Sequence, residues 1–150
     1  MTADIRLPVM EWTGGCLCGA VKYRATVDPF WAGHCHCRNC QRWTGSAAFT
    51  GAFFKLGQIE WISGEPSYFQ SSKNVRRSFC PSCASSIGFH RADTHEGVTA
   101  GTLDNPRAIK TEDHMFAEHE YAWAKFDDGL PRQEGFLPED EAFDDPSLHQ

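Results

Sequence analysis

The chain has 150 residues, a formal net charge of −6 at pH 7 and 41% hydrophobic residues, which is ordinary for one globular domain with a single core. No stretch approaches the ~20 apolar residues of a membrane span, and the N-terminal segment lacks the apolar region of a signal peptide, so we expect a soluble, cytoplasmic protein without a membrane partner. No concentrated basic surface is evident, which argues against nucleic acid as a partner.

The distribution of charge distinguishes the C-terminal segment from the rest of the chain. Residues 127–150 hold eight acidic residues against one arginine, whereas the rest of the chain is close to neutral. We predict an N-terminal extension over residues 1–10, a folded domain over residues 11–130, and an acidic, flexible C-terminal tail over residues 131–150.

Short strands dominate the predicted secondary structure. Val21, Tyr23 and Ala25 alternate with polar residues, the period-two pattern of a half-buried strand. The single predicted helical turn covers Arg38–Thr44 and ends at Gly45. Further strands, separated by turns rich in Gly, Pro and Asn, are predicted over residues 47–54, 67–70, 75–79, 86–90, 98–103 and 114–119. This spacing indicates a mainly β domain with mostly antiparallel sheets.

Seven cysteines in three clusters are the strongest functional signal. Thiolates two or three residues apart on a turn can converge on one tetrahedral metal ion. Structural zinc sites are closed by four protein ligands, whereas catalytic sites keep one position open. The clusters are Cys16-Leu-Cys18, Cys35-His-Cys37-Arg-Asn-Cys40 and Cys80-Pro-Ser-Cys83. Seven ligands therefore predict one closed zinc site of four cysteines and one open site of three.

A disulfide framework is the alternative explanation of clustered cysteines, and three observations count against it. The number of cysteines is odd, and no secretory signal is visible. Cysteines separated by a single residue also seldom reach the geometry of a disulfide with each other. Metal binding therefore remains the better explanation.

The first and last clusters are predicted to form the closed, structural site. Cys80 and Cys83 lie on a tight turn between two apolar strands, so both thiolates point to one side. Cys16 and Cys18 are two residues apart in an extended segment and face the same side. Joining the two pairs through zinc would close a long loop and stabilise a small β domain.

The middle cluster is predicted to form the open, catalytic site. Cys35, Cys37 and Cys40 lie within six residues, in a loop and the start of a helix, where backbone amides favour a thiolate. The open position could hold water or a substrate thiolate. Alternatively, His34 or His36 could fill it, which would make the second site closed and structural as well.

The flanks of the clusters resemble those of a known family. The matching strings are GGCLCGAVKY, HCHCRNCQRWTG, SFCPSCASSIGF, GTLDNP and HMFAEHEYAW, which together span roughly residues 11–130. They are similar to the glutathione-dependent formaldehyde-activating enzyme family. Three ordered cysteine clusters with such flanks are specific, whereas a single C-x2-C pair would be a weak signal.

The resemblance implies a β-tent fold of several coiled antiparallel sheets with zinc knuckles and little helix. It also implies a structural zinc at Cys16, Cys18, Cys80 and Cys83 and a catalytic zinc at Cys35, Cys37 and Cys40, in agreement with the cysteine count. The chain departs from the family after the second knuckle cysteine, where Ala84 stands in place of the usual glycine. A positive φ at this position would strain the turn.

The implied reaction is addition of the glutathione thiol to formaldehyde, or the reverse carbon–sulfur cleavage. Zinc suits it, because a bound thiol is deprotonated and a bound carbonyl is polarised. Arg38 and Arg42 lie within the open cluster's own segment, and Arg76 and Arg77 precede the knuckle. We expect Arg38 and Arg42 in particular to bind the carboxylates of glutathione, with solvated surface charge as the alternative role. Trp43 could line the ligand pocket, whereas the other four tryptophans, Trp123 among them, are expected in the core.

Two functions of different class follow. The first is a zinc-dependent carbon–sulfur lyase that forms or cleaves S-(hydroxymethyl)glutathione or a related thiol–aldehyde adduct, with a small-molecule thiol and an aldehyde as its partners. The second is a non-enzymatic zinc module that binds another protein. Coordination separates them: three sulfurs with an exchangeable fourth ligand indicate the enzyme, and two saturated sites indicate the module.

Overall fold

The computed structural model describes residues 11–135, so the predicted extension over residues 1–10 and most of the acidic tail lie outside the described residues. The strands are β1 (Trp12–Gly15), β2 (Lys22–Ala25), β3 (Trp31–Cys35), β4 (Phe49–Lys55), β5 (Glu60–Ser63), β6 (Ser67–Gln70), β7 (Val75–Phe79), β8 (Ser86–Arg91), β9 (His95–Thr99) and β10 (His114–Met115). One α-helix, α1, covers Arg38–Thr44. Short 3-10 turns follow at Ala100–Thr102, Pro106–Ala108, Ala117–His119 and Ala122–Ala124.

The strands form two sheets. One has three antiparallel strands in the order β1-β2-β5, and the other has seven strands in the order β10-β3-β4-β9-β8-β7-β6. All neighbours in the larger sheet run antiparallel except β10 and β3, which are parallel. The predicted mainly β fold class with antiparallel sheets is therefore confirmed.

The strand predictions differ in quality along the chain. β6 and β7 have the predicted bounds, and Val21, Tyr23 and Ala25 are all buried, as the alternation indicated. β1, β3 and β5 were not predicted, because each is only four or five residues long and lacks a clear period-two pattern. The predicted strands over residues 98–103 and 114–119 both turn into 3-10 helix after the first two residues.

The hydrophobic residues pack into two clusters on opposite faces of the central strand β4. Ala52 and Phe54 belong to one cluster, which also holds Cys16 and Cys80. Phe49 and Phe53 belong to the other, together with the middle group of cysteines. Because side chains alternate along a strand, β4 is buried on both faces and separates the two groups of cysteines.

Helix α1 begins and ends as its sequence predicts. Cys37 is the N-cap residue, with its sulfur accepting the Cys40 backbone N–H at 3.3 Å. Gly45 has a φ of 69° and donates its N–H to the Gln41 carbonyl at 2.8 Å. A glycine adopts this left-handed conformation without steric cost, which ends the helix after two turns.

The end of the described chain stays attached to the body. His114 forms an isolated bridge with Arg132, and the Phe116 N–H donates to the Gly135 carbonyl at 2.9 Å. The boundary predicted at residue 130 remains a prediction, although residues 131–135 clearly hydrogen-bond to the segment that contains β10. Trp123, expected in the core, is instead 75% exposed. No helix within residues 11–135 is long and apolar enough to cross a bilayer.

Candidate metal centres

The first and last cysteine clusters meet in one group, as predicted. The ligand sulfurs of Cys16, Cys18, Cys80 and Cys83 all lie within 4.8 Å of one another. The sulfurs of Cys16 and Cys18 are 3.6 Å apart, and those of Cys18 and Cys80 are 3.8 Å apart. Two sulfurs that are each about 2.3 Å from a tetrahedral zinc ion are separated by about 3.8 Å, so this group fits the ion.

Hydrogen-bond donors contact the sulfurs of Cys16, Cys80 and Cys83. The Val21 N–H donates to the sulfur of Cys16 at 3.3 Å, and the Ser82 N–H donates to that of Cys80 at 3.4 Å. The Ser85 hydroxyl lies 3.1 Å from the sulfur of Cys83, and the hydrogen bonds from its hydroxyl and backbone lower the pKa of that thiol to about 5. Such donors stabilise a thiolate, which is the form that binds zinc.

Ser85 also joins the two halves of this site. Its hydroxyl oxygen accepts the Leu17 N–H at 2.9 Å, which leaves the hydroxyl proton available for the sulfur of Cys83. Leu17 lies between the first two cysteines of the site, 68 residues before Ser85. The serine therefore holds the N-terminal loop against the knuckle turn.

Ala84 has a positive φ, as the family resemblance implied. Its φ is 63°, and its N–H donates to the Cys80 carbonyl at 2.8 Å. The left-handed conformation brings Cβ close to the following carbonyl and costs a non-glycine residue about 1–2 kcal/mol. The turn therefore carries strain that the glycine of the family pattern would not have.

We expect Ala84→Gly to raise the free energy of unfolding by about 0.5–1 kcal/mol, since the relief of strain exceeds the extra flexibility of glycine in the unfolded chain. Urea unfolding monitored by circular dichroism measures this change. Ala20→Gly is the matched control, because Ala20 is also exposed and does not have a positive φ. The control is expected to be destabilised, and a loss of stability in Ala84→Gly would contradict the strain argument.

The middle cluster forms a second, separate group. The sulfurs of Cys35, Cys37 and Cys40 lie within 4.8 Å of one another, and all three residues are buried. Cys35 ends β3, Cys37 caps α1, and Cys40 is in the first turn of the helix. A strand end and a helix start therefore hold three thiols around one point, with a donor set that suits zinc.

The three thiols have unequal acidity. Hydrogen bonds from the thiols of Cys35 and Cys37 hold the pKa of Cys40 well below its ordinary value, and the neighbouring guanidinium of Arg77 adds to this against the effect of burial. The same interactions with Cys37 and Cys40, together with complete burial, raise the pKa of Cys35 well above its ordinary value. One buried thiolate is thus stabilised at Cys40, and a cation is needed to ionise the others.

A small cavity adjoins this trio of cysteines. The space open to the centres of water molecules is about 40 Å³, enough for a few waters. Its wall is largely aromatic, and Arg77, Arg91 and His95 supply polar groups. Burial lowers the pKa of His95 to about 4, so its imidazole is neutral at neutral pH. The trio therefore opens onto a small, mostly apolar space that contains two cations.

His34 and His36 do not complete the trio. They flank Cys35 in an extended segment, so their side chains point to the opposite face. Each histidine belongs to a different group of ligand atoms. His34 groups with His114 and Asp128, and His36 groups with His114 and Glu120. Within residues 11–135, the group of ligand atoms around the trio contains sulfur alone. Neither histidine therefore contributes a ligand atom to the trio's group among the described residues.

These histidines instead form a buried network behind the cysteines. His36 Nε2 lies 2.7 Å from His114 Nδ1, and His114 Nε2 lies 2.8 Å from a carboxylate oxygen of Asp128. His34 stacks on His114, with ring centroids 4.5 Å apart. The network ties β10 to the segment that carries Cys35 and Cys37, and so fixes the backbone that presents the sulfurs. Sequence reasoning missed it, because β10 lies 78 residues from His36.

The predicted substrate-binding arginines, Arg38 and Arg42, lie in a different place. They line an open surface groove with Gln41, Tyr121 and Trp123, whereas neither lines the cavity of the trio. Arg38 donates to the side chains of Gln41 at 2.6 Å and Tyr121 at 2.8 Å. Their role in binding a carboxylate remains a prediction.

Two arginines from strands outside the cysteine segment line the cavity beside the trio. Arg77 on β7 and Arg91 on β8 both line it. Arg77 Nη1 lies 3.6 Å from the sulfur of Cys40, and its guanidinium lies over the ring of Trp43, 4.9 Å from the centroid. Arg76 is exposed and lies over the ring of Tyr68 on the other side of β7. Of the arginines that the sequence singled out, Arg77 is the one beside the trio.

The fold and its two cysteine groups define a mainly β protein with two thiolate-rich centres that could hold zinc. Residues 11–119 match the model of the family described as glutathione-dependent formaldehyde-activating enzyme. This match covers more than half of the chain, so the chain belongs to that family.

Two individual proteins are also similar to the chain. An uncharacterized lyase of Schizosaccharomyces pombe is 28% identical over 81 residues, which are 53% of this chain and 57% of that protein. The chain thus matches little more than half the length of this relative. A crystal structure of a Rhodobacter sphaeroides protein superposes with a TM-score of 0.50 and 21% identity, over 65% of this chain and 90% of that one, and supports the fold.

Proposed function

We propose that the protein is a carbon–sulfur lyase that forms or cleaves the adduct of a small thiol and an aldehyde, with glutathione and formaldehyde as the first pair to test. The observation that carries the proposal is the buried trio of Cys35, Cys37 and Cys40, whose ligand group contains three sulfurs and no fourth protein ligand within residues 11–135. Three protein ligands and an open position are the usual composition of a catalytic zinc site.

We assign the two groups of cysteines different roles. Cys16, Cys18, Cys80 and Cys83 would hold a structural zinc, because four sulfurs complete a tetrahedron. Cys35, Cys37 and Cys40 would hold the catalytic one. Zinc bound there would keep a thiol in its thiolate form and polarise a carbonyl. Seven unpaired cysteines also suit a reducing, cytoplasmic location.

The reaction balances without a redox partner. In the forward direction the S–H bond of the thiol and the π bond of the aldehyde break, and a C–S bond and an O–H bond form. The thiol proton is exchanged through water and ends on the new hydroxyl. His95 is a weak base with a pKa of about 4, so we assign it the role of a neutral wall of the cavity rather than that of a proton acceptor.

The residues of the chain contribute position and exclusion of water. Phe49, Phe53 and Phe89 line the cavity, so few waters compete with the aldehyde for the thiolate. Arg77 Nη1 beside Cys40 stabilises negative charge on the sulfurs. The histidine network behind the trio holds Cys35 and Cys37 in place. Together they pre-organise two small reactants in one enclosed space.

Exchange NMR of formaldehyde with glutathione tests this function. The protein is expected to accelerate exchange between free formaldehyde and its glutathione adduct above the uncatalysed rate, and S-methylglutathione is expected to give no exchange. X-ray absorption on the zinc-loaded protein should detect sulfur-only ligation at one site and three sulfurs with a lighter, exchangeable ligand at the other. Uncatalysed rates together with no exchangeable ligand at either site would favour the alternative, a zinc module that binds another protein.

A further inference from the structure

Arg77 is a buried cation without a carboxylate partner among the described residues. It is 2% exposed, and its hydrogen bonds go to the Ser71 hydroxyl at 3.0 Å and the sulfur of Cys40 at 3.6 Å. Its Nη2 is buried and has no hydrogen-bond partner. A buried charged donor left unpaired is costly, so this nitrogen is suited to an anionic ligand.

The guanidinium of Arg77 is held in place before any ligand arrives. It lies between aromatic rings, 4.9 Å from the centroid of Trp43 and 5.4 Å from that of Phe89. The Ser71 hydroxyl fixes Nε, and the sulfur of Cys40 fixes Nη1. A planar donor already held in one geometry loses little entropy when it binds a carboxylate. Binding through Nη2 would also leave the contact with Cys40 intact.

Arg91 brings a second guanidinium to the same cavity. It is 3% exposed, and its Nε lies 3.6 Å from a carboxylate oxygen of Asp93, which is itself half exposed. Both arginines line the cavity that adjoins the three cysteines. Two cations in a space of about 40 Å³ favour one small anion.

We propose that Arg77, together with Arg91, binds a carboxylate carried by the small thiol or the small aldehyde that reacts at the three cysteines. This inference rests on the proposed function and narrows its substrate class. Because the cavity admits only a few atoms, the carboxylate must lie within a few bonds of the reacting sulfur or carbonyl carbon. Mercaptoacetate and glyoxylate meet this condition, whereas the carboxylates of glutathione lie at the far ends of a tripeptide.

Isothermal titration calorimetry on the zinc-loaded protein tests the inference without an activity assay. Mercaptoacetate is compared with its methyl ester, and glyoxylate with its methyl ester, so that each pair differs by the negative charge and one methyl group. We expect the acid of at least one pair to bind about tenfold or more tightly than its ester, the range of a charge-assisted hydrogen bond. The pair that shows the difference identifies the reactant that carries the carboxylate.

Variants of Arg77 test whether the carboxylate contacts the arginine or the metal. Arg77→Gln is expected to abolish the advantage of acid over ester, and Arg77→Lys to reduce it, because lysine keeps the charge without the fork of donors. Arg76→Gln is the matched control and should bind like the wild type, because Arg76 is exposed on the other side of the strand. An advantage that persists in Arg77→Gln would mean that the carboxylate contacts the metal, and would overturn the inference.

The remaining outcomes distinguish the inference from the function on which it rests. Equal affinities of acid and ester for the wild-type protein, in both pairs, overturn the inference and leave the proposed function standing. If glyoxylate binds in an Arg77-dependent way and neither thiol binds, the inference stands and the aldehyde is the reactant that carries the carboxylate. Absence of binding by all four compounds overturns the inference, whereas the exchange of formaldehyde with glutathione decides the proposed function separately. Equal affinities in the wild type overturn the inference without any variant, and Arg77→Lys supplies the test of the arginine if Arg77→Gln fails to fold.

Discussion

Cys80→Ser is expected to leave the protein largely unfolded and depleted of zinc. Cys80 is completely buried, and its sulfur lies 3.8 Å from that of Cys18 on the other half of the four-cysteine site. Serine is a poor ligand for zinc, and a structural zinc contributes of order ~10 kcal/mol to the folding of small domains. This contribution is comparable to the whole stability of a typical domain, about 5–15 kcal/mol. Circular dichroism and zinc analysis would measure the loss.

Ser82→Ala is the control for this variant. Ser82 lies in the same knuckle turn and is exposed, and it donates its backbone N–H, not its side chain, to the sulfur of Cys80. It should therefore keep both the fold and the metal. A wild-type melting temperature and metal content in Cys80→Ser would show that these four cysteines do not form a structural site.

Cys37→Ser is expected to keep the fold and abolish catalysis. Cys37 caps α1 through its sulfur, and serine is among the best N-cap residues, so the helix remains capped. The trio, however, loses one of its three ligands, and the bound zinc should fall by half. Exchange of formaldehyde with glutathione should drop to the uncatalysed rate. Loss of the strand signal in circular dichroism would mean that the trio is structural as well.

Cys37→Ala separates the cap from the metal ligand. Alanine supplies neither a helix cap nor a metal ligand. This variant should therefore lose the same activity as Cys37→Ser, and its free energy of unfolding should be ~1 kcal/mol lower than that of Cys37→Ser. Urea unfolding of the two variants, with the zinc of the trio absent from both, measures the difference. Equal stabilities would indicate that the cap at Cys37 contributes nothing to the fold.

The sequence by itself determined the features that depend on local spacing. Cysteines two or three residues apart in the chain are close in space, so the grouping of Cys35, Cys37 and Cys40 was predictable. The remaining four cysteines then form the second group. The helix Arg38–Thr44 was predictable as well, because Gly45 supplies a left-handed residue at its end. The positive φ of Ala84 was implied by the family resemblance, in which a glycine follows the second knuckle cysteine. Each of these features depends on a few consecutive residues.

The periodicity of the helix also determines where its arginines lie relative to Cys40. Arg38 and Arg42 are four residues apart and share one face of α1, whereas Cys40 lies between them, two residues from each. Residues two apart on a helix point in nearly opposite directions. The helical prediction alone therefore places these arginines on the face turned away from the sulfur of Cys40, where the open groove lies.

Only the tertiary structure decided which distant groups surround the trio. Arg77 lies opposite Phe89 in the pairing of β7 with β8, and Arg91 is two residues further along β8, so both arginines reach the face that lines the cavity. His114 meets His36 because β10 pairs in parallel with β3 across 78 residues. Such contacts depend on which strands pair and in what register, and many pairings satisfy the same alternation of buried and exposed residues. The grouping of the cysteines could thus be predicted from the sequence, whereas the charges and hydrogen bonds around them required the assembled sheet.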